Sequence, residues 1–196
     1  MKSLNTIEQS IEMIHAGEIE DALSLLNETA ISADIDTKLE ISQIFVELGN
    51  HDLAQEVLED ILNTEPGNSE AKLLLADIMI DDNKDEQAIE LLNEIQDGDD
   101  NFLQALVQLA DLYQAQGLFE VAEQKLLIAK NIAPDEPIID FALGELLFSS
   151  GEYHKSIVYY EKLKSKTEEF AGVNIASRLA EAYALNGEFE SSLHYY

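Results

Sequence analysis

Forty acidic side chains and four histidines are the groups through which this 196-residue chain could do chemistry. His15, His51, His154 and His194 stand apart: no two share the i, i+3 or i, i+4 spacing that sets two imidazoles on one helical face. His51 shares its place in the sequence pattern with Ile19, Phe119, Tyr153 and Phe189, which points to packing at a turn. Cysteine is absent, which removes thiolate nucleophiles, disulfides and thiolate-bound metals. There is no Gly-rich phosphate cradle, no H-E-x-x-H and no nucleophile elbow. The run Asp81-Asp82-Asn83-Lys84-Asp85-Glu86 offers oxygens at alternate positions, as a calcium loop does. Glu86 stands where such a loop needs glycine, and Leu92 where it needs its closing glutamate. A solvated acidic turn is the better reading, and the same holds for Asp97-Gly98-Asp99-Asp100-Asn101. Acid–base catalysis needs a buried carboxylate pair with separated pKa values, and no spacing here marks one. We expect no catalytic residue, no bound metal and no cofactor.

The acids act instead as a field. The net charge is −29. Residues 1–100 hold 26 acidic residues and four lysines, a net −22, while residues 101–196 hold 14 acids and seven basic residues, a net −7. Such a field repels phosphate backbones and anionic lipid and attracts basic partners. Nucleic-acid and membrane binding are therefore not expected. The N-terminal stretch Met1-Lys2-Ser3-Leu4-Asn5-Thr6-Ile7-Glu8 lacks the apolar core of a signal peptide. No run approaches the roughly 20 apolar residues of a membrane span. These features predict a soluble, cytoplasmic protein.

The elements that must position these side chains announce themselves as a repeat. Ala22, Ala54, Ala88, Ala122, Ser156 and Ser192 recur at gaps of 32, 34, 34, 34 and 36 residues. Twelve positions before each stands a second small residue: Ser10, Ser42, Ala76, Ala110, Gly144 and Ala180. Small residues at fixed places let two helices approach closely. Met13, Phe45, Met79, Tyr113, Leu147 and Tyr183 follow three residues later, on the same helical face. Four past the first small residue come Leu26, Leu58, Leu92, Leu126, Tyr160 and Tyr196. Gly17, Gly49, Asn83, Gly117, Gly151 and Gly187 mark the turn between two helices, where a left-handed residue ends the first. Pro66 and Pro134 follow the second helices, which proline cannot continue.

With these columns in register the chain resembles the tetratricopeptide (TPR) repeat. Residues 103–136 carry the pattern best, through Leu106, Leu109, Ala110, Tyr113, Ala122, Leu126 and Pro134. The resemblance implies an all-α fold: a right-handed solenoid of antiparallel helix pairs, with about five and a half repeats. The repeats read as 3–34, 35–68, 69–102, 103–136, 137–172 and an incomplete 173–196. Two extra residues in or near Thr167–Val173 predict a longer connection there and a slight bend. The last repeat stops on an apolar edge of Phe189, Leu193, Tyr195 and Tyr196, from which we expect an N-terminal fragment of a longer repeat protein.

The resemblance also implies where a ligand lies. In TPR-like stacks the first helices line a concave groove, and the column one turn past their large residue faces it. That column reads Ile11, Gln43, Asp77, Asp111, Glu145 and Glu181. Stacked repeats would align the four acids as a ladder, costly through like-charge repulsion unless a cation is near. Partly apolar rows flank it: Leu39, Leu73, Val107, Phe141 and Ser177 on one side, Ile14, Val46, Ile80, Gln114, Phe148 and Ala184 on the other. An acidic ladder between apolar rows suits a basic amphipathic segment. The expected binding residues are Gln43, Asp77, Asp111, Glu145, Glu181, Leu73, Val107 and Phe141. TPR domains that clamp a carboxylate tail carry basic residues on these helices, so an acidic tail is not the expected ligand. The basic run Lys155, Lys162, Lys164 and Lys166 falls on the second helix of the fifth repeat, as a solvated face that offsets nearby acids or marks a second contact.

The expected function is a non-enzymatic adaptor or scaffold that holds a protein segment. Two alternatives stand beside it: a self-assembly module joining copies through repeat edges, and a regulatory domain of a longer protein.

Overall fold

The computed structural model describes residues 2–195, with side chains from Thr6 onward; Tyr196 lies outside the described residues. The expected all-α fold of antiparallel helix pairs is what forms. The helices are α1 (Lys2–Ala16), α2 (Ile19–Ala30), α3 (Ile35–Glu47), α4 (His51–Thr64), α5 (Ser69–Asp81), α6 (Asp85–Asn93), α7 (Phe102–Ala115), α8 (Phe119–Ile132), α9 (Pro137–Ser149), α10 (Tyr153–Lys164), α11 (Ile175–Leu185) and α12 (Phe189–Tyr195). None of the described helices is long and apolar enough to cross a membrane.

Each pair is closed by the same local device. Gly17, Gly49, Gly117, Gly151 and Gly187 have φ between +70° and +85°, and Asn83 has φ +59°. The left-handed residue turns the next amide back onto the helix just ended. Thus Asn50 N–H donates to the Phe45 carbonyl at 2.8 Å, Lys84 N–H to Met79 at 2.7 Å and Leu118 N–H to Tyr113 at 2.8 Å. These are the bonds that satisfy the orphan carbonyls of a helix end. Asparagine substitutes at 83 because its short polar side chain tolerates this conformation. At other helix starts a side chain accepts the orphan amide: Asp34 from Thr37, Asn68 from Ala71 and Asn174 from Ser177, at 2.9–3.0 Å.

The chain divides into two compact units, residues 1–102 and 103–196. In the first, Ile7, Leu26, Ile41, Phe45, Leu58, Ile61 and Leu75 form a continuous core. In the second, Ile157, Tyr160, Leu163, Ile175, Leu179 and Tyr183 do so, with Phe141, Phe148 and Phe170 packed against them. The small-residue columns lie where helices touch. Ala22, Ala54, Ala88, Ala122 and Ser156 are fully buried. Ser192 Oγ donates to the Ala180 carbonyl at 2.9 Å, joining the two columns directly.

The longer connection expected near Thr167–Val173 is a β-hairpin, β1 (Glu169–Phe170) against β2 (Val173–Asn174). Its two-residue turn, Ala171 and Gly172, has φ +48° and +76°. Positive φ at both central residues matches the right-handed twist of the strands they join. Phe170 is thereby aimed at α9, its ring 5.2 Å from that of Phe141.

Candidate functional site

The first helix of each pair carries the expected binding residues. In the first unit, Gln43 on α3 is exposed and Asp77 on α5 is half-buried. Leu73, also on α5, is only 4% exposed. It is a packing residue, and a correction to the expected apolar row follows: a Leu side chain on this face of α5 is consumed between helices and leaves a ligand almost nothing to touch. In the second unit Val107 and Phe141 are half-buried, and Asp111 and Glu181 are exposed.

Asp111 has an environment of its own. Its residue reaches solvent, yet burial among surrounding protein pushes its carboxyl above the usual carboxylate range. Among the described residues no ion pair involves it.

Glu145 and Glu181 differ sharply from Asp111. Arg178, the chain's single arginine, reaches across from α11 to α9. Its Nε donates to Glu145 Oε1 at 2.9 Å and its Nη2 to Glu145 Oε2 at 2.8 Å, a bidentate pair. Nη1 donates to Glu181 Oε2 at 2.9 Å. The guanidinium also lies over the Phe148 ring, 5.0 Å from its centroid. Hydrogen bonding to Glu145 holds the Arg178 pKa above its ordinary value. Tyr160, fully buried, donates to Glu145 Oε1 at 2.8 Å. Burial, then the neighbouring Glu145 charge, raises the Tyr160 phenol well above the normal range. The expected four-rung ladder is therefore not a uniform row of bare acids: two rungs have a cation supplied by the chain itself. Arg178 sits one helical turn before Glu181, and that i, i+3 spacing is the only sequence signal that could have pointed to it.

The lysines resolve in the same way. Asp140 on α9 is fully buried. It takes an ion pair from Lys130 on α8 and another from Lys162 on α10, the latter at 2.9 Å. Burial lowers the Lys130 pKa. Lys162 Nζ also donates to the Pro134 carbonyl at 3.0 Å, and Lys166 Nζ to the Asp135 carbonyl at 3.1 Å. Lys164 pairs with Glu168, and Lys155 with Glu152 at 3.3 Å. The basic run thus ties α10 to the loop before α9 and offsets nearby acids.

His51 packs half-buried against the next turn, its ring nitrogens 3.8 Å from Asp81 Oδ2 and 3.6 Å from Asp82 Oδ1. Lys84 donates to Asp82 at 2.7 Å and, with His51, holds that carboxyl below its usual range. Among the described residues no group of three His, Asp or Glu side chains is arranged to hold a metal ion. A cleft of about 400 Å³ opens at the start of α5, lined by Ser69, Lys72, Glu94, Asp97 and Asp99. Its one buried charge, Lys72, is paired to Glu94 at 2.7 Å.

Comparison with known proteins agrees with this architecture. A family model of YpiA-like tetratricopeptide repeats matches residues 114–168, and a tetratricopeptide-repeat model matches residues 45–102. The TPR repeat-containing protein YpiA of Bacillus subtilis (strain 168) is 38% identical over 194 residues, 98% of this chain and 46% of that protein. The chain thus spans just under half the length of that relative. Among solved structures, PilW, a widely conserved type IV pilus biogenesis factor, matches with a TM-score of 0.78 at 16% identity, covering 100% of this chain and 90% of that one. YrrB, a TPR protein with an unusual peptide-binding site, matches with a TM-score of 0.64 at 12% identity, covering 83% of this chain and 82% of that one. At such identities these two likenesses speak to fold alone. The repeat columns, the shared turn device and the matching family models together place the chain in the tetratricopeptide-repeat family.

Proposed function

We propose that this chain is a non-enzymatic, cytoplasmic adaptor that binds a segment of a partner protein along the exposed faces of its first helices. Each unit does so by itself: Asp77 with Gln43 in the first, and Asp111 with Val107 in the second, attract a basic amphipathic segment. YrrB is described as having a peptide-binding site, and a peptide is the class of ligand assigned here. The reading includes neither nucleic acid nor membrane, because the charge of −29 repels both.

The observation that carries the proposal is that Asp111 is exposed on α7 and that no ion pair among the described residues involves it. Surrounding protein also raises its carboxyl pKa, so its charged form is held at some cost in the folded state. A cationic side chain brought by a partner removes that cost. The sign can be followed through pH. A raised carboxylate pKa means that the folded state holds its proton more readily than the unfolded state, so stability falls as pH rises from the ordinary aspartate value through the raised one. Asp111→Asn is therefore expected to leave thermal stability at neutral pH equal or higher. It weakens binding of a lysine- and leucine-rich synthetic helix by up to ~5-fold and flattens the salt dependence. Asp77→Asn is expected to weaken binding similarly. Calorimetric titration at two salt concentrations reads both. Unchanged affinity in the double variant would remove the carboxylates from the proposal.

A second reading, association of copies, is favoured by Leu185, Phe189 and Leu193, which are 55%, 68% and 75% exposed. Light scattering over a concentration series separates it: a constant monomer mass rejects self-assembly.

A further inference from the structure

The groove between α2 and α4, the second helices of the first two repeats, departs from the pattern of the chain's own repeats. It holds about 250 Å³ and is lined by Asn27, Ala30, Ile31, Glu56, Val57 and Asp60. Its floor is apolar, since Ala30 and Val57 are buried. Ala30 stands eight positions past the small residue Ala22, where the later repeats carry Leu62, Gln96, Lys130 and Lys164. Leu62 packs against the core of the first unit; alanine at the same place leaves that volume open. Ile31 follows, where the later repeats carry Asn63, Asp97, Asn131 and Ser165. It is 81% exposed, an apolar wall at a position that is otherwise polar.

The rim is acidic. Glu56 and Asp60 are one turn apart on α4, and both are exposed. Asp60 pairs with Lys38, and a carboxylate with one donor retains lone pairs for a second. Among the described residues no ion pair involves Glu56. Lys38, Lys72 and Lys84 are each already committed to a carboxylate, in a stretch, residues 1–100, whose net charge is −22. Two carboxylates beside an apolar floor match one kind of side chain, an aliphatic stem that ends in a cation. The volume is below the ~300–1,000 Å³ of a small-molecule pocket and suits a single side chain.

We propose that this groove seats an arginine or lysine side chain of a partner protein, with its stem on Ala30, Ile31 and Val57 and its head between Glu56 and Asp60. The site lies on second helices and does not depend on the first-helix faces assigned above. The test titrates the isotope-labelled chain with a synthetic leucine–arginine tetrapeptide and with its leucine–glutamine counterpart, following the backbone amides of Ile31 and Val57 by NMR. These amides are expected to shift with the arginine peptide alone, and less as salt is added. Glu56→Gln is expected to weaken binding ~5-fold, and Ile31→Asn, which installs the residue of the next repeat, ~3-fold. Both side chains are exposed, so these variants keep the fold. Ala30→Leu fills the floor as Leu62 does and is expected to abolish the shifts. Equal binding of the two peptides, or unchanged affinity in Glu56→Gln combined with Ile31→Asn, overturns the inference. So do shifts confined to α3, α5 and α7, an outcome that leaves the adaptor reading standing. Failure of that reading is seen separately, as indifference of the parent protein to Asp77→Asn and Asp111→Asn.

Discussion

Gly144→Ala is expected to destabilise the second unit by ~1–3 kcal/mol, although alanine is the better helix former. A β-carbon built at 144 falls 2.7 Å from Cε1 and 3.0 Å from Cδ1 of Tyr160. That ring is fully buried and its hydroxyl is held by Glu145 at 2.8 Å, so it has nowhere to go. Overpacking against a fixed ring outweighs the ~1 kcal/mol that alanine gains over glycine in a helix. The neighbouring repeat supplies the control. There the same two columns hold Ala110 and Leu126, both buried. A small residue matched to a leucine, or a glycine matched to a tyrosine, fills one space in two ways. Tyr160→Leu alone leaves a void and removes one of the hydrogen bonds to Glu145, which Arg178 still pairs. Combining it with Gly144→Ala is expected to destabilise by less than the sum of the single changes, with ~1 kcal/mol of favourable coupling. Urea denaturation of the four proteins measures the cycle. Strict additivity would show that the ring and the glycine do not constrain each other.

Replacing both lysines around Asp140 is expected to have the larger effect. Asp140 is fully buried, and its two cations come from α8 and α10. Lys130→Met with Lys162→Met keeps the aliphatic bulk and leaves a carboxylate uncompensated in the protein interior, at a cost of ~3–5 kcal/mol. Asp140→Leu removes the carboxylate instead. The two lysine side chains, 20% and 37% exposed, then turn to water, so the loss is smaller. Replacing all three together is expected to return stability to near that of the parent. Equal losses from the lysine pair and from Asp140→Leu, measured as midpoint shifts at a constant denaturant slope, would mean that the carboxylate finds water in the folded state.

The two predictions show which side of the structure was legible beforehand. The left-handed turns at Gly49, Asn83 and Gly117 could be placed from the chain because their cause is local: backbone sterics and a helix end a few bonds away. The small-residue columns were legible because a repeat writes the same packing contact again and again. In those columns Gly144 is one more small residue, and its match to Tyr160 exists only where the two share one space. Period alone sets a face and says nothing of how deeply that face is buried, so Leu73 falls in the groove row by pattern and in the packing by structure. The hairpin escaped because Ala171-Gly172 is a weak form of a turn that usually begins with asparagine or aspartate. Only two extra residues betrayed it.

The sequence by itself determined the helix-pair architecture, the turn positions and the excess of negative charge, since each follows from short-range sterics, periodicity or composition. Tertiary structure alone decided which of those charges remain available. Arg178 and Glu145 are 33 residues apart, and Lys162 and Asp140 are 22 apart. A pairing between side chains that distant depends on how helices are stacked. Asp111 and Glu145 stand in one column and read alike in the chain, yet Glu145 is already paired with Arg178.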